Sequence, residues 1–405
     1  MSNEKKSWLS QTLVGLGLTS LFNDFSHEMT TAILPAFIQQ IVSGSEAALI
    51  VGIISGVSDA ATSIFKIISG VITDRIKRYK PLLIIGYGIT PLFIGLIGTA
   101  CTTFQILTYK TIAWTGRGLR EPIRDTWLSY IVSSTYYGRA FGFQRAADTI
   151  GAILGPLTAF IALKYVTIRT IFFISLIPGA ISLIVLILLT KQEELPQFKN
   201  PYKNIFDQFR QLPLPFNYFT FVMFIFGIGN FNKLLIIYRA QERIFGEAHS
   251  FITATAWAIL LYTLFNCIRA LSEFGFGTLS DFYSRTYILS FIGFGSFGVA
   301  NCLLMSSSDS LLLWALIFIL AGMSTGAVTA VEKAYAGQLL PEHIRGTGFG
   351  LLQMVDGVGD LASSIIVGAL WRYICPNAGF IYAASLSFIA MIMLMIKKDG
   401  RHIKQ

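Results

Sequence analysis

Asp24, His27 and Glu28 fall within five residues of one another in "LFNDFSHEMT", inside an otherwise apolar segment. At i, i+3 and i+4 of a helix they share one face. Two carboxylates beside an imidazole hold a proton whose affinity depends on water access. The same side chains offer oxygen and nitrogen ligands, so a metal is an alternative, and a structural hydrogen-bond network is a third. A second constellation is "WTGRGLREPIRDTW", where Arg117, Arg120 and Arg124 recur near one helical face beside Glu121 and Asp125. Arginine forks grip carboxylate and phosphate bidentately, so Arg120 and Arg124 are candidates to bind an anionic solute. Pairing with Glu121, Asp125 and Asp24 would instead leave no anion preference. Arg117 is a candidate packing partner.

Further along, "GIGNFNKLL" supplies Asn230 and Lys233, and "TAVEKAY" supplies Glu332, as candidate solute contacts. Asp148 joins Asp24, His27 and Glu28 as a candidate proton-coupling group. Arg145, Arg269, Glu273, Asp356 and Asp360 are further charges that could pair, and Asp59 and Lys66 each need a partner. Charges inside apolar segments are costly and face a cavity or a partner.

The elements that must position these groups are apolar helices. The 405-residue chain is 54% hydrophobic and 13% charged, where a soluble chain is nearer a quarter charged. Spans of about 20 apolar residues, the length of one bilayer crossing, recur near 11–41, 47–73, 81–101, 104–133, 140–163, 169–190, 216–245, 250–279, 286–306, 310–339, 346–370 and 378–396. Strand-sized alternation does not recur, which argues against a membrane β-barrel. The polar start "MSNEKKSWLSQ" leads into no short cleavable apolar core, so the first segment is expected to remain as a span. The polar stretch 191–215 divides the chain into a bundle of six helices over 1–190, a cytoplasmic linker, and a second bundle over 216–405.

The net charge of +9 reflects cations at alternate segment ends rather than a nucleic-acid surface. By the positive-inside rule both termini and the linker are cytoplasmic. The four cysteines are scattered, with no metal-binding spacing. No P-loop occurs, which argues against ATP drive, and no hydrolytic triad or metal motif supports an enzyme. No cofactor and no resident metal are expected.

The two halves repeat. "SGVITDRIKRYK" (69–80) matches "FGTLSDFYSRTY" (276–287), and "YGRAFGFQRAADTIG" (137–151) matches "RGTGFGLLQMVDGVG" (345–359), both at an offset of roughly 207 residues. Head-to-tail repeats of this kind characterise transporters built from two like halves.

"GVITDRIKRYK" has the form G-x-x-x-D-R-x-x-R-x-K and resembles the loop between the second and third helices of the major facilitator superfamily. Gly70, Asp74, Arg75 and Arg78 match; Lys77 replaces the family's second glycine. The resemblance implies a conformational latch at these residues and at Asp281 in the repeat. The glycine would let helices approach closely, and the arginines would bridge to carboxylates or carbonyls. Gly142, Gly151 and Gly155-Pro156 are similar to the superfamily's antiporter motif, with Ala159-Phe160 in place of its last glycines. Glycines at this spacing thin a helix face for packing.

The resemblance covers the whole chain. It implies an all-α membrane protein with twelve transmembrane helices in two pseudo-symmetric six-helix bundles around a central cavity. It further implies secondary active transport by alternating access, in a monomer of the cytoplasmic membrane. With the charged residues it suggests proton-coupled movement of a small polar or anionic organic solute, of carboxylate, phosphate-ester or metal-chelate type. Proton-antiport efflux of amphiphilic drugs is the alternative. A non-transporting scaffold would need neither the latch nor buried proton acceptors.

Overall fold

Apolar length decides most of the helices, and proline, glycine and hydroxyl residues decide where they break. The computed structural model describes residues 9–42, 44–73, 79–132, 136–191, 210–248, 250–306, 310–341 and 345–396, all helices and their connections. Helix α1 (Gln11–Thr31) starts at Ser10, whose hydroxyl accepts from the Leu13 N–H at 3.1 Å. Its 21 residues span about 31 Å at 1.5 Å per residue, enough for a bilayer core. The first segment is not one continuous helix over 11–41. It breaks at Ala32–Ile33 before α2 (Leu34–Ile41). Pro35 has no N–H for the Thr31 carbonyl, and the hydroxyls of Thr30 and Thr31 both bond back to the His27 carbonyl, at 2.8 and 2.9 Å.

Helices α3 (Ser45–Thr73), α4 (Lys80–Ile97), α5 (Thr103–Ile131) and α6 (Tyr137–Ala162) follow. Thr102 and Gln105 form a reciprocal capping box at the start of α5. The sixth segment divides into α7 (Ile168–Ile174) and α8 (Leu176–Leu189), because Pro178 removes the bond to the Ile174 carbonyl. The seventh, expected over 216–245, also breaks. Helix α9 (Leu214–Gly227) ends in a Gly-rich turn, and α10 (Lys233–Ala248) starts where the Asn232 side chain accepts from the Leu234 N–H at 2.9 Å. Then come α11 (Phe251–Phe282), α12 (Arg285–Leu304), α13 (Leu311–Leu339), α14 (Arg345–Tyr373) and α15 (Pro376–Ile396). Within α12, residues 288–295 are wound as a π-helix. The carbonyl of Gly293 there accepts from Ser324 of α13 at 2.7 Å.

Among the described residues, eight helices are long and apolar enough to cross a membrane, so this is a multi-pass membrane protein. Helices α1, α5 and α6, which carry Asp24, His27, Glu28, Arg120, Arg124 and Asp148, are outside that group of eight. Their charges lower the mean hydropathy that would otherwise mark them.

The chain forms two compact units. One comprises Met1–Val42 and Val57–Pro201, the other Ser43–Gly56 and Tyr202–Gln405. Helix packing within each follows the internal repeat. In the first unit a Cβ on Gly118 would meet Thr62 and Phe65; in the second, one on Gly326 would meet Arg269 and Ser272. Likewise Gly88 faces Leu183 and Gly295 faces Met391. Each pair is related by roughly 207 residues.

The glycines singled out by sequence do not all serve close approach. A Cβ on Gly151 would strike the Leu21 carbonyl, and one on Gly155 would lie 2.6 Å from the Met29 nitrogen, so α6 rests directly on α1 there. Around Gly142 and Gly70 no described residue lies within 4 Å of such a Cβ. Overpacking a tight site costs about 1–3 kcal/mol. Gly151→Ala is accordingly expected to lower the thermal midpoint of the purified protein, whereas Gly142→Ala leaves it unchanged or raises it slightly by its helix propensity.

Candidate functional site

The polar residues of α1, α4, α5 and α6 meet inside the first unit. Arg120, on α5, is 3% exposed. Its Nη1 donates to the Asn23 side-chain oxygen and to Thr90 Oγ1 at 3.3 Å, and its Nη2 stands 3.5 Å from Asp24 Oδ1. The guanidinium lies over the Tyr87 ring, 4.7 Å from its centre, a cation–π contact that favours a desolvated cation. Its Nε is buried without a hydrogen-bond partner in the protein. Glycine allows this approach: a Cβ on Gly86 of α4 would lie 2.9 Å from the Arg120 Cβ.

One turn along α5, Arg124 Nε donates to Asp125 Oδ1 at 2.9 Å. Its Nη1 donates to Ser20 Oγ at 3.0 Å and to Asp148 Oδ2 at 3.5 Å. Gln144 donates to the other Asp148 oxygen at 3.1 Å. Ser20 also bonds the Tyr87 hydroxyl at 2.9 Å, which joins the two arginine layers. Arg120, buried, thus faces the carboxylate of Asp24, whereas Arg124, partly buried, is shared between Asp125 and Asp148. Asp125 is half exposed.

The face predicted for Asp24, His27 and Glu28 is present. His27 Nδ1 lies 3.5 Å from Asp24 Oδ1, and Nε2 lies 3.4 Å from Glu28 Oε1. His27 and Glu28 are buried. Among the described residues no group of three or more His, Cys, Asp or Glu side chains is placed to hold a metal ion. Lys66 and Arg117 both hold Glu121, at 2.7 and 2.8 Å, and the Arg117 charge also acts on Asp24 and Glu28. Asp59 accepts from the Trp114 indole N–H at 3.1 Å.

The remaining candidates lie in the second unit. Lys233 Nζ is 4.9 Å from the Tyr262 ring centre, the Asn230 carbonyl accepts from Ser363 at 3.1 Å, and Glu332 is buried on α13. Of the latch residues, Asp74, Arg75 and Arg78 lie outside the described residues, as does the side chain of Asp281. The repeat position of Arg78 is Arg285, which donates to the Ala334 carbonyl at 3.0 Å and the Ser280 carbonyl at 3.3 Å. An arginine does therefore bridge backbone carbonyls at that repeat.

Sequence reasoning missed Ser20, Asn23, Tyr87, Thr90 and Gln144, which are uncharged and carry no motif. One signal was available. Ser20, Asn23 and His27 continue the face of Asp24 at helical spacing, opposite the arginine row.

The sequence profile of the Major Facilitator Superfamily matches residues 16–260 and 244–405. An uncharacterized MFS-type transporter of Methanocaldococcus jannaschii is 31% identical over 400 residues, covering 97% of this chain and 96% of that protein. Among solved structures, the nucleoside transporter NupG superposes with a TM-score of 0.75 at 15% identity, covering 96% of this chain and all of that one. A D-xylose-proton symporter superposes with a TM-score of 0.68 at 14% identity, covering 95% and 96%. These likenesses establish the fold of a secondary transporter and not of an enzyme. The chain belongs to the major facilitator superfamily.

Proposed function

We propose that this protein is a proton-coupled secondary transporter of a small polar or anionic organic solute, and that Arg120 and Arg124 are its principal solute contacts. The observation that carries the reading is Arg120: a buried arginine beside Asp24 with its Nε still unpartnered. The Arg120–Asp24 pair is neutral while Asp24 is ionised and gains one positive charge when it is protonated; Arg124, between Asp125 and Asp148, goes from an excess of one negative charge to neutral when Asp148 is protonated. A proton and an anionic group of the solute would then enter the same layer together. This is electrostatic coupling: the protonated carboxylate no longer competes for the guanidinium.

In this reading the chain has twelve crossings, the eight long apolar helices together with α1/α2, α5, α6 and α9/α10. They form two six-helix bundles, 1–190 and 216–405, about a central cavity that opens alternately to either side. Asn230, Lys233 and Glu332 are the second bundle's solute contacts. Asp24, His27, Glu28 and Asp148 carry the proton. Gly70, Asp74, Arg75, Arg78 and Asp281 form the cytoplasmic latch. Both termini are cytoplasmic, and the protein works as a monomer in the cell membrane. Proton-antiport efflux of amphiphilic compounds is the second reading, favoured by the tight packing of Gly151 and Gly155 on α1.

Thermal stabilisation of the purified protein against organic anions, ferric chelates and cationic amphiphiles tests the solute class. A compound at 100 times its Kd stabilises the folded state by about 2.7 kcal/mol. Organic anions are expected to raise the midpoint, and Arg124→Ala to lose the shift. Stabilisation by cationic amphiphiles alone would replace the anion reading with efflux.

A further inference from the structure

The imidazole of His27 lies between two carboxylates, one at each nitrogen. Nδ1 faces Asp24 Oδ1 at 3.5 Å and Nε2 faces Glu28 Oε1 at 3.4 Å. His27 is 2% exposed, and its Nε2 has no hydrogen-bond partner in the protein. Buried polar atoms left unbonded are rare and costly. A nitrogen held at that distance from a carboxyl oxygen, one small ring movement from bonding to it, is suited to receive a proton intermittently. The ring itself is held. It meets Trp114 edge-on at 5.9 Å, and the Trp114 indole N–H is fixed by Asp59 Oδ1 of α3.

We propose that His27 relays a proton between Glu28 and Asp24 by exchanging tautomers, with Trp114 and Asp59 as positioning residues. The inference rests on proton coupling at Asp24. In the relay the Glu28 O–H bond breaks as Nε2 takes the proton. The Nδ1–H bond then breaks as that proton passes to Asp24 Oδ1. Charge and atoms balance: Glu28 becomes a carboxylate, Asp24 a neutral acid, and the ring ends with its hydrogen on Nε2. A second proton passes in the same direction only after the tautomer is restored, so each reset moves one proton. Arrival at Asp24 cancels its charge opposite Arg120 Nη2, 3.5 Å away, and leaves the guanidinium positive and open to a solute.

Helix α5 contributes Arg120 through Asp24, Arg117, whose charge acts on both Asp24 and Glu28, and Lys110 Nζ over the Trp114 ring, 4.9 Å from its centre. Helix α3 contributes Asp59 through the indole. Helix α6 meets the Glu28 backbone with Gly155, and its Asp148 lies in the Arg124 layer. Helix α4 offers Tyr87 and Thr90 beside Arg120, and α8 offers neutral groups at Ser26. The competing possibility is structural. Nδ1 is also 3.3 Å from the Asn23 carbonyl, and a permanent bond there would lock one tautomer.

Ring nitrogen-15 NMR of the full chain in lipid nanodiscs decides between them. Replacing His249, His343 and His402 by glutamine leaves His27 as the single histidine with its neighbours intact. Both neutral tautomers, in exchange, are expected. Asp24→Asn is expected to shift the ratio about tenfold toward Nε2–H, and Glu28→Gln about tenfold toward Nδ1–H. Trp114→Phe, which frees the ring from Asp59, is expected to broaden the signals. A single Nδ1–H tautomer, unmoved by Asp24→Asn, would overturn the relay, and the parent protein alone reads this if a variant does not fold. The readout needs no solute, so a protein driven by another ion would fail the transport test and not this one.

Discussion

Replacing Arg120 by alanine is expected to destabilise the protein by about 3–5 kcal/mol, the usual result of removing one member of a buried ion pair. The loss has three sources. Asp24 keeps a desolvated charge with no guanidinium beside it, the Asn23 side-chain oxygen and Thr90 lose a donor, and the face of Tyr87 loses its cation. Adding Asp24→Asn to the variant removes the uncompensated charge and is expected to recover most of the stability. Transport is not recovered, because the solute contact is gone. A double-mutant cycle on the thermal midpoint measures the coupling between the two residues. Additive effects would mean that Arg120 and Asp24 do not act as a pair.

Asp148→Asn is expected to separate exchange from accumulation. Asp148 is held by Gln144 and Arg124 at 3.1 and 3.5 Å, and asparagine keeps its shape but cannot gain or lose the proton. A two-unit pH gradient offers one coupled proton about 2.7 kcal/mol, or about a hundredfold accumulation of solute. The variant is expected to equilibrate solute across a liposome membrane and to accumulate it no more than about onefold. Counterflow with labelled solute measures the first and uptake under an imposed gradient the second. Uphill uptake by the variant at the parental level would remove Asp148 from the coupling pathway.

The membrane-spanning character and most helices were legible in the sequence, because about 20 apolar residues between charged ends leave little choice of structure. The breaks were harder to see. Pro35 and Pro178 remove one hydrogen bond each, but the break at Ala32–Ile33 also draws on the back-bonded hydroxyls of Thr30 and Thr31, and the one before α10 on the Asn232 cap. The π-wound stretch in α12 left no sequence mark at all. In the site, Asp24, His27, Arg120 and Arg124 stood out because charge in an apolar segment is costly. Their geometry did not. Which acid each arginine meets depends on the rotation of α1 and α6 about their axes, set by contacts at Gly151 and Gly155.

Proton movement in step with solute tests the account most directly. Proteoliposomes of the parental protein, loaded with a pH-sensitive dye, would be challenged with each compound that raises the thermal midpoint. The account predicts acidification of the lumen that begins with inward solute flux and is abolished by Arg124→Ala. Solute flux with no change in lumenal pH, and no response to an imposed pH gradient, would contradict it.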